Sequence, residues 1–176
     1  MPDRAIVVDC ETTGLILPSV ADISKQPQII ELACSIIESG AVISEHSWLI
    51  NPGVPLSADI IRITKLTDAD LAGKPSFADL LPEIAETFHG SNVFIAHNAP
   101  FDKGCIEFEL RRLNHEHFPW PEETLCTVQS FEYMFGRRAK LTQLYKRVIG
   151  QELKQTHRAM DDVRALVEIV LKERLA

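Results

Sequence analysis

Asp9 and Glu11 stand two residues apart at the end of the apolar run Arg4-Ala-Ile-Val-Val-Asp9. Alternate side chains of an extended strand share a face, so both carboxylates point the same way. A strand this apolar is a buried one, and open α/β sheets place their reactive crevice at the carboxyl ends of such strands. The bland alternative is a solvent-facing strand end. Three further residues can join the pair. Asp102 falls in the first turn of a predicted helix, on one stripe with Ile106, Leu110 and Leu113, which turns it toward the sheet. Its bland alternative is an acid that only suits the helix dipole. Asp161 and Asp162 are adjacent at the start of the last helix, so one of them faces inward. Asp162, beside Val163 and four residues before Leu166, is the inward one; Asp161, three before Arg164, takes the wetter side. His157 precedes that helix and is free to reach over the same place, or to be a surface loop histidine.

Carboxylates aimed at one crevice repel. Two charges about 4 Å apart cost roughly 4 kcal/mol at an effective dielectric near 20, so such a cluster calls for cations. All-oxygen ligands suit Mg²⁺ or Mn²⁺ rather than zinc or copper. Two ions about 4 Å apart can contact both the attacking and the leaving oxygen of a phosphodiester. A histidine titrating near neutrality can take the proton from the attacking water. Together these groups fit phosphodiester hydrolysis.

The elements that must position them follow from periodicity. Residues 4–9, 28–37, 41–50, 92–96 and 123–127 read as strands, the second and third joined by a hairpin turn at Glu38-Ser39-Gly40. Residues 57–72 read as short helical pieces, and 76–88, 101–113, 140–149 and the segment from about 158 onward as helices. Residues 15–27, with Pro18 and Pro27, read as an irregular loop. Phe131, Met134 and Phe135 read as core. Hairpin-linked strands followed by strand–helix alternation predict a mixed sheet covered by helices, a three-layer α/β domain spanning residues 1–176.

Composition narrows the class. A chain of 176 residues with 45 % apolar and 24 % charged residues forms a normal globular core. The net charge of −7 argues against tight duplex binding through a broad positive face, and predicts brief substrate contacts or a partner that supplies affinity. Cys10, Cys34, Cys105 and Cys126 show no C-x-x-C spacing and read as reduced, buried thiols. No apolar run is long enough to span a bilayer, and the N-terminus is not a secretory signal, so the expected location is cytoplasmic, with no membrane partner.

Four blocks carry a family resemblance: Val8-Asp9-Cys10-Glu11-Thr12-Thr13-Gly14, Ile50-Asn51-Pro52-Gly53, Ala96-His97-Asn98-Ala99-Pro100-Phe101-Asp102 and His157-Arg158-Ala159-Met160-Asp161-Asp162. In this order they resemble the DEDDh exonucleases, most closely the proofreading (epsilon) subunits of bacterial DNA polymerase III. The resemblance implies a ribonuclease H-like fold with a mixed five-stranded sheet, and release of 5′-monophosphates from free 3′ ends with two divalent cations. It implies that Asp9, Glu11, Asp102 and Asp162 hold metal, that His157 is the general base, and that Thr12, Thr13, Gly14, Leu15, His97, Asn98 and Phe101 lie by the terminal nucleotide. Single-stranded or frayed DNA 3′ ends are the implied substrate and a polymerase subunit a candidate partner. An RNA-trimming or oligonucleotide-degrading exonuclease and an idle, polymerase-associated adaptor subunit stay open as alternatives. Two features depart from the pattern: the stretch 15–28 is long, and Glu123-Thr124 stands where the family often has Asp-Thr. Leu15, Ile16 and Leu17 read as an apolar wedge against the bases. The sequence shows no tail after residue 176 for docking a polymerase, so a free-standing enzyme, a phage or plasmid homologue and a trimmed domain all stay open.

Overall fold

The computed structural model describes residues 4–176 and places a five-stranded sheet between two layers of helices. The strands are β1 (Arg4–Thr12), β2 (Ile29–Glu38), β3 (Ala41–Leu49), β4 (Val93–Ala96) and β5 (Glu123–Cys126). The helices are α1 (Ala58–Thr64), α2 (Asp68–Leu71), α3 (Phe77–Phe88), α4 (Ala99–Arg112), α5 (Thr127–Ser130), α6 (Glu132–Phe135), α7 (Leu141–Ile149) and α8 (Ala159–Lys172), with a short 3₁₀ turn at Ile23–Lys25. The strand order is β3-β2-β1-β4-β5; β1 runs antiparallel to β2 and parallel to β4, and β4 parallel to β5. This is the mixed, ribonuclease H-like α/β sheet expected from the sequence. Among the described residues no helix is long and apolar enough to cross a membrane.

Strand parity divides the core. Ile6, Val8 and Cys10 of β1, with Leu32, Cys34, Ile36 and Phe94, pack on the face covered by α3 and α4. Ala5 and Val7, with Ala33, Ile37, Val93 and Ile95, pack on the face covered by α7 and α8. Asp9 and Glu11 share the parity of Ala5 and Val7, so β1 delivers both acids to the α8 side. The ends of α8 and β2 are locked together there. Glu31 is 1 % exposed and accepts from Arg158 Nε (3.0 Å) and Nη2 (2.9 Å) and from the Ala159 amide (3.3 Å) at the start of α8. A buried acid in the largely apolar β2 is thereby satisfied by a guanidinium and by a helix N-terminus.

Several boundaries differ from expectation. β1 runs through Thr12 instead of ending at Asp9, because β2 pairs with it all the way, with a register shift between Glu11 and Thr12. Asp9 and Glu11 therefore lie inside a paired strand. The hairpin turn is Ser39-Gly40, both at positive φ, the combination that matches the twist of paired strands. Leu113 does not face inward: it is the C-cap of α4 and 39 % exposed, because the helix ends at Arg112 and its buried stripe at Leu110. Phe131 is buried, and Met134 and Phe135 pack partly against the α7–α8 core. All four cysteines are buried and free, as expected.

The long loop 15–28 is anchored. Arg112 Nη2 donates to the carbonyls of Ile23, Gln26 and Pro27, and Glu109 accepts from the Ile29 amide. Gln26 donates to the carbonyls of Leu17 and Val20 and accepts from the Leu17 amide. Ile16 packs into the core against Gly104, where an added Cβ would meet its Cδ1 at 3.0 Å. Only Leu15 and Leu17 of the expected wedge are exposed; Ile16 is the root that holds the loop to α4.

Removing Arg158 leaves Glu31 buried with one backbone donor. Because the Arg158 side chain is itself 43 % exposed, the loss falls below that of a fully buried pair. Arg158→Met is expected to destabilise by roughly 1–3 kcal/mol, and Glu31→Gln combined with it by less than the sum of the singles. Urea denaturation of the double-mutant cycle measures this; additive losses would show that the pair does not lock α8 to β2.

Candidate active site

The end of β1 brings together groups from three distant segments. One carboxylate oxygen each of Asp9, Glu11 and Asp162 lies within 4.8 Å of the others. Asp9 and Glu11 come from the α8-facing side of β1. Asp162 comes from the first turn of α8 and is 6 % exposed, whereas Asp161 is exposed, in line with the choice between the two made from the sequence. Asp102 arrives from α4 on the opposite face. It is 3 % exposed, and its Oδ1 accepts from the Cys10 amide (3.1 Å) and thiol (3.2 Å). Cys10 points toward α4 because it sits between Asp9 and Glu11 and has the opposite parity. Asp102 therefore grips the residue that separates the two β1 acids.

Electrostatics record the crowding. Burial, and then the charges of Asp102, Asp162 and Glu11, hold Asp9 well above the usual carboxylate range. Burial and then Asp162 push Glu11 up to about 8, with Arg158 opposing. Burial raises Asp102 to about 7 against the hydrogen bonds from Cys10. Burial also raises Asp162, opposed by its bond from Gln155 and the nearby His157. Four acids held above their solution values at one strand end form a site built for positive charge.

The chemistry of the donors fits divalent cations. Asp162 Oδ2 accepts from Gln155 Nε2 (2.8 Å), but its Oδ1 is buried with no hydrogen-bond partner among the described residues. A buried carboxylate oxygen in that state loses its water without recompense unless a cation occupies its lone pairs. With Asp9 and Glu11 alongside, the set is all oxygen, which suits Mg²⁺ or Mn²⁺. This acidic cluster is of the kind used in two-metal hydrolysis.

His157 reaches the same place. It lines a cavity of about 430 Å³ together with Asp9, Asp162, Gln155, Asn98 and Arg138. Its backbone adopts φ 57°, a left-handed conformation uncommon for non-glycine residues. Here Gln155 and Thr156 impose it: their side chains bond to Asp162 and Asp161, folding the segment back over the start of α8. The side chain is exposed, open to water and to a substrate.

The residues expected beside a terminal nucleotide fall into two groups. Leu15 is 77 % exposed and Phe101 is half-buried against the core; neither lines the cavity that holds Asp9, His157 and Asp162. Thr12 is buried and donates its hydroxyl to the Gly14 carbonyl, and Thr13 accepts from the Gln28 amide, so both shape the turn at Gly14. His97 lines the cavity but has both ring nitrogens engaged, Nδ1 with Thr127 Oγ1 (3.0 Å) and Nε2 with the Ala139 carbonyl (3.1 Å). Asn98 accepts from Arg138 Nη2 (2.7 Å). Glu31, Gln155, Thr127 and Arg158 did not stand out in the sequence. Of these, Glu31 alone leaves a signal, an acid within the apolar run of β2.

A family model described as exonuclease (RNase T) matches residues 6–170. The chain is 34 % identical over 168 residues to the PolC-type DNA polymerase III of Bacillus subtilis (strain 168), covering 95 % of this chain and 11 % of that protein. It is 31 % identical over 170 residues to the PolC-type DNA polymerase III of Clostridium perfringens (strain 13 / Type A), covering 96 % of this chain and 11 % of that protein. The chain spans only 11–25 % of the length of the first curated relatives that it matches. Among solved structures, the nuclease domain of 3′hExo, a DEDDh family member bound to rAMP, superimposes with TM-score 0.80 at 14 % identity, covering 99 % of this chain and 92 % of that one. Exonuclease X in complex with 5′-overhanging duplex DNA superimposes with TM-score 0.68 at 24 % identity, covering 97 % and 92 %. At these identities the superpositions establish a shared fold.

In metal-free buffer the raised acids bind more protons in the folded chain than in the unfolded one between about pH 4 and pH 8. Their contribution to stability is full below the unfolded value and is lost as pH rises through the folded values. The melting temperature is therefore expected to fall from pH 5 to pH 8 in a chelator. Asp9→Asn should flatten that slope, and Mn²⁺ should raise the melting temperature more at pH 8 than at pH 5. Differential scanning calorimetry tests this; a metal-free protein that gains stability over this interval, with no change in slope for Asp9→Asn, would contradict it.

Proposed function

Because this chain belongs to the DEDDh-type 3′→5′ exonuclease family, we propose that it removes nucleotides one at a time from the 3′ ends of single-stranded or frayed DNA, releasing 5′-mononucleotides. Residues 1–176 act as one exonuclease domain in the cytoplasm, and a DNA polymerase subunit is the partner that such a domain serves. The observation that carries the proposal is the meeting of Asp9, Glu11 and Asp162 within 4.8 Å beside His157 and over Asp102. The relatives' description as PolC-type DNA polymerase III supports DNA over RNA as substrate.

Each residue has a part in this proposal. Asp9, Glu11, Asp102 and Asp162 hold two divalent cations, Mg²⁺ or Mn²⁺. When bound, the cations neutralise the scissile phosphate and favour attack by water at phosphorus. His157 accepts the proton of the attacking water at an imidazole nitrogen; its exposure leaves it free to pass that proton to solvent. Gln155 orients Asp162 through Oδ2 and leaves Oδ1 for a cation. Asp102, by holding Cys10, keeps Asp9 and Glu11 in register. Leu15 and Phe101 offer apolar surface to the terminal base, and Thr12, Thr13, Gly14, His97 and Asn98 shape the ground around it.

End-labelled single-stranded DNA, single-stranded RNA and a mismatched primer–template, each with Mg²⁺, Mn²⁺ or a chelator, test the proposal. A ladder shortening from the 3′ end of DNA, abolished by chelator, is expected. Cutting confined to short RNA would replace DNA as the substrate, and no cutting at all would favour an idle subunit. Asp9→Ala and Asp162→Ala should each abolish turnover. His157→Ala should lower kcat by about 10²–10⁴-fold while keeping the stabilisation by Mn²⁺. Unchanged turnover in His157→Ala would remove the histidine from the chemistry.

A further inference from the structure

Arg137, Arg138 and Lys140 place three exposed cations within four residues of a chain whose net charge is −7. Among the described residues none of the three makes an ion pair with a carboxylate. A basic run in a turn is ordinarily a solvated surface. This one is fastened to the floor of the candidate site. Arg138 donates to Asn98 Oδ1, and the Ala139 carbonyl meets Nε2 of His97. A carbonyl only accepts, so Nε2 carries the proton and Nδ1 accepts from the Thr127 hydroxyl. Burial holds the His97 pKa down to about 4, so the ring keeps this neutral tautomer throughout the neutral range. Ala139 and Leu141 are buried, 8 % and 5 % exposed, Arg138 and Lys140 are exposed, and all four line the cavity that holds Asp9, His157 and Asp162.

We propose that Arg137, Arg138 and Lys140 form a phosphate-binding rim for the strand leading into the site, contacting the phosphates on the 5′ side of the scissile bond, with His97 and Asn98 as the residues that position it. The proposal rests on the exonuclease reading and adds the path of the substrate. A polynucleotide brought to a crowded group of acids is repelled along its backbone. Cations held by the acids offset that repulsion only at the scissile phosphate. Phosphates further along the strand need countercharge of their own; Arg138 and Lys140, which line the same cavity, and Arg137, next to them in the chain, supply it. The rim also gives a chain of net charge −7 a local cluster of cations for nucleic-acid binding.

The test compares two substrates cleaved by the full chain with Mn²⁺: a short oligothymidylate, and the p-nitrophenyl ester of thymidine 5′-monophosphate, which has the scissile phosphate and no phosphate beyond it. In the variant Arg137→Gln/Arg138→Gln/Lys140→Gln, the oligonucleotide KM is expected to rise about tenfold or more, with a far smaller change for the ester. Single strands lose about 0.7 from the slope of log affinity against log salt for each phosphate contact, so the slope should become shallower by about 2. His97→Leu should reproduce part of the slope change, and His97→Gln, which can still donate to the Ala139 carbonyl, should restore it. Fluorescence anisotropy of the oligonucleotide bound in Ca²⁺ reads the same slope without turnover. An unchanged slope overturns the rim, as does an equal loss on both substrates. Failure of the wild-type chain to cut either substrate would count against the exonuclease reading, while the anisotropy slope would still decide the rim.

Discussion

The burial of four carboxylates at the end of β1, with mutual repulsion added at Asp9 and Glu11, is the constraint on which the structure turns. Asp9, Glu11, Asp102 and Asp162 all rise above their solution pKa values, chiefly through burial. A chain stabilised only locally would splay such a group apart. Here the acids are fixed by elements whose stability comes from elsewhere. β1 is paired on both edges and apolar on both faces. α4 and α8 are held against opposite faces by their own buried stripes. Polar contacts then set the fine geometry: Cys10 on Asp102, Gln155 on Asp162, and Glu31 with Arg158 at the start of α8. Local electrostatic cost is stored at the site and offset by the core, as at many functional sites.

The two faces of the sheet explain why residues from such different places meet. Asp9 and Glu11 share parity with Ala5 and Val7 and so look toward α8, where Asp162 waits. Cys10 shares parity with Ile6 and Val8 and so looks toward α4, where Asp102 waits. The site is thus a seam around the end of one strand, reached from both layers. His157, Arg138 and Lys140 approach from the α7–α8 side and line one cavity with Asp9 and Asp162.

Local sequence patterns carry much of this arrangement. The parity of Asp9 and Glu11, the inward turn of Asp102 and the choice of Asp162 over Asp161 all follow from side-chain periodicity, which is a local property. The mixed sheet follows from the order of strand and helix patterns, and the free cysteines from their spacing. What stayed hidden depends on contacts between distant segments. That β1 continues through Thr12 depends on pairing with β2. That Ile16 is a root, and not part of a wedge, depends on the absence of a side chain at Gly104. That His97 and Asn98 grip residues 138 and 139 depends on where a loop forty residues later comes to rest. Leu113 misled because a helical stripe carries no mark of the residue at which the helix stops.

Cations at the end of β1 are what four carboxylates there require. Diffraction from crystals of the wild-type chain soaked with Mn²⁺ and a nucleoside 5′-monophosphate, recorded for anomalous signal, would locate them. Two peaks about 4 Å apart are expected at the end of β1, one of them between Asp9, Glu11 and Asp162 and in contact with Oδ1 of Asp162. Anomalous density only at surface histidines, with the strand-end carboxylates protonated and bonded to one another, would contradict the account.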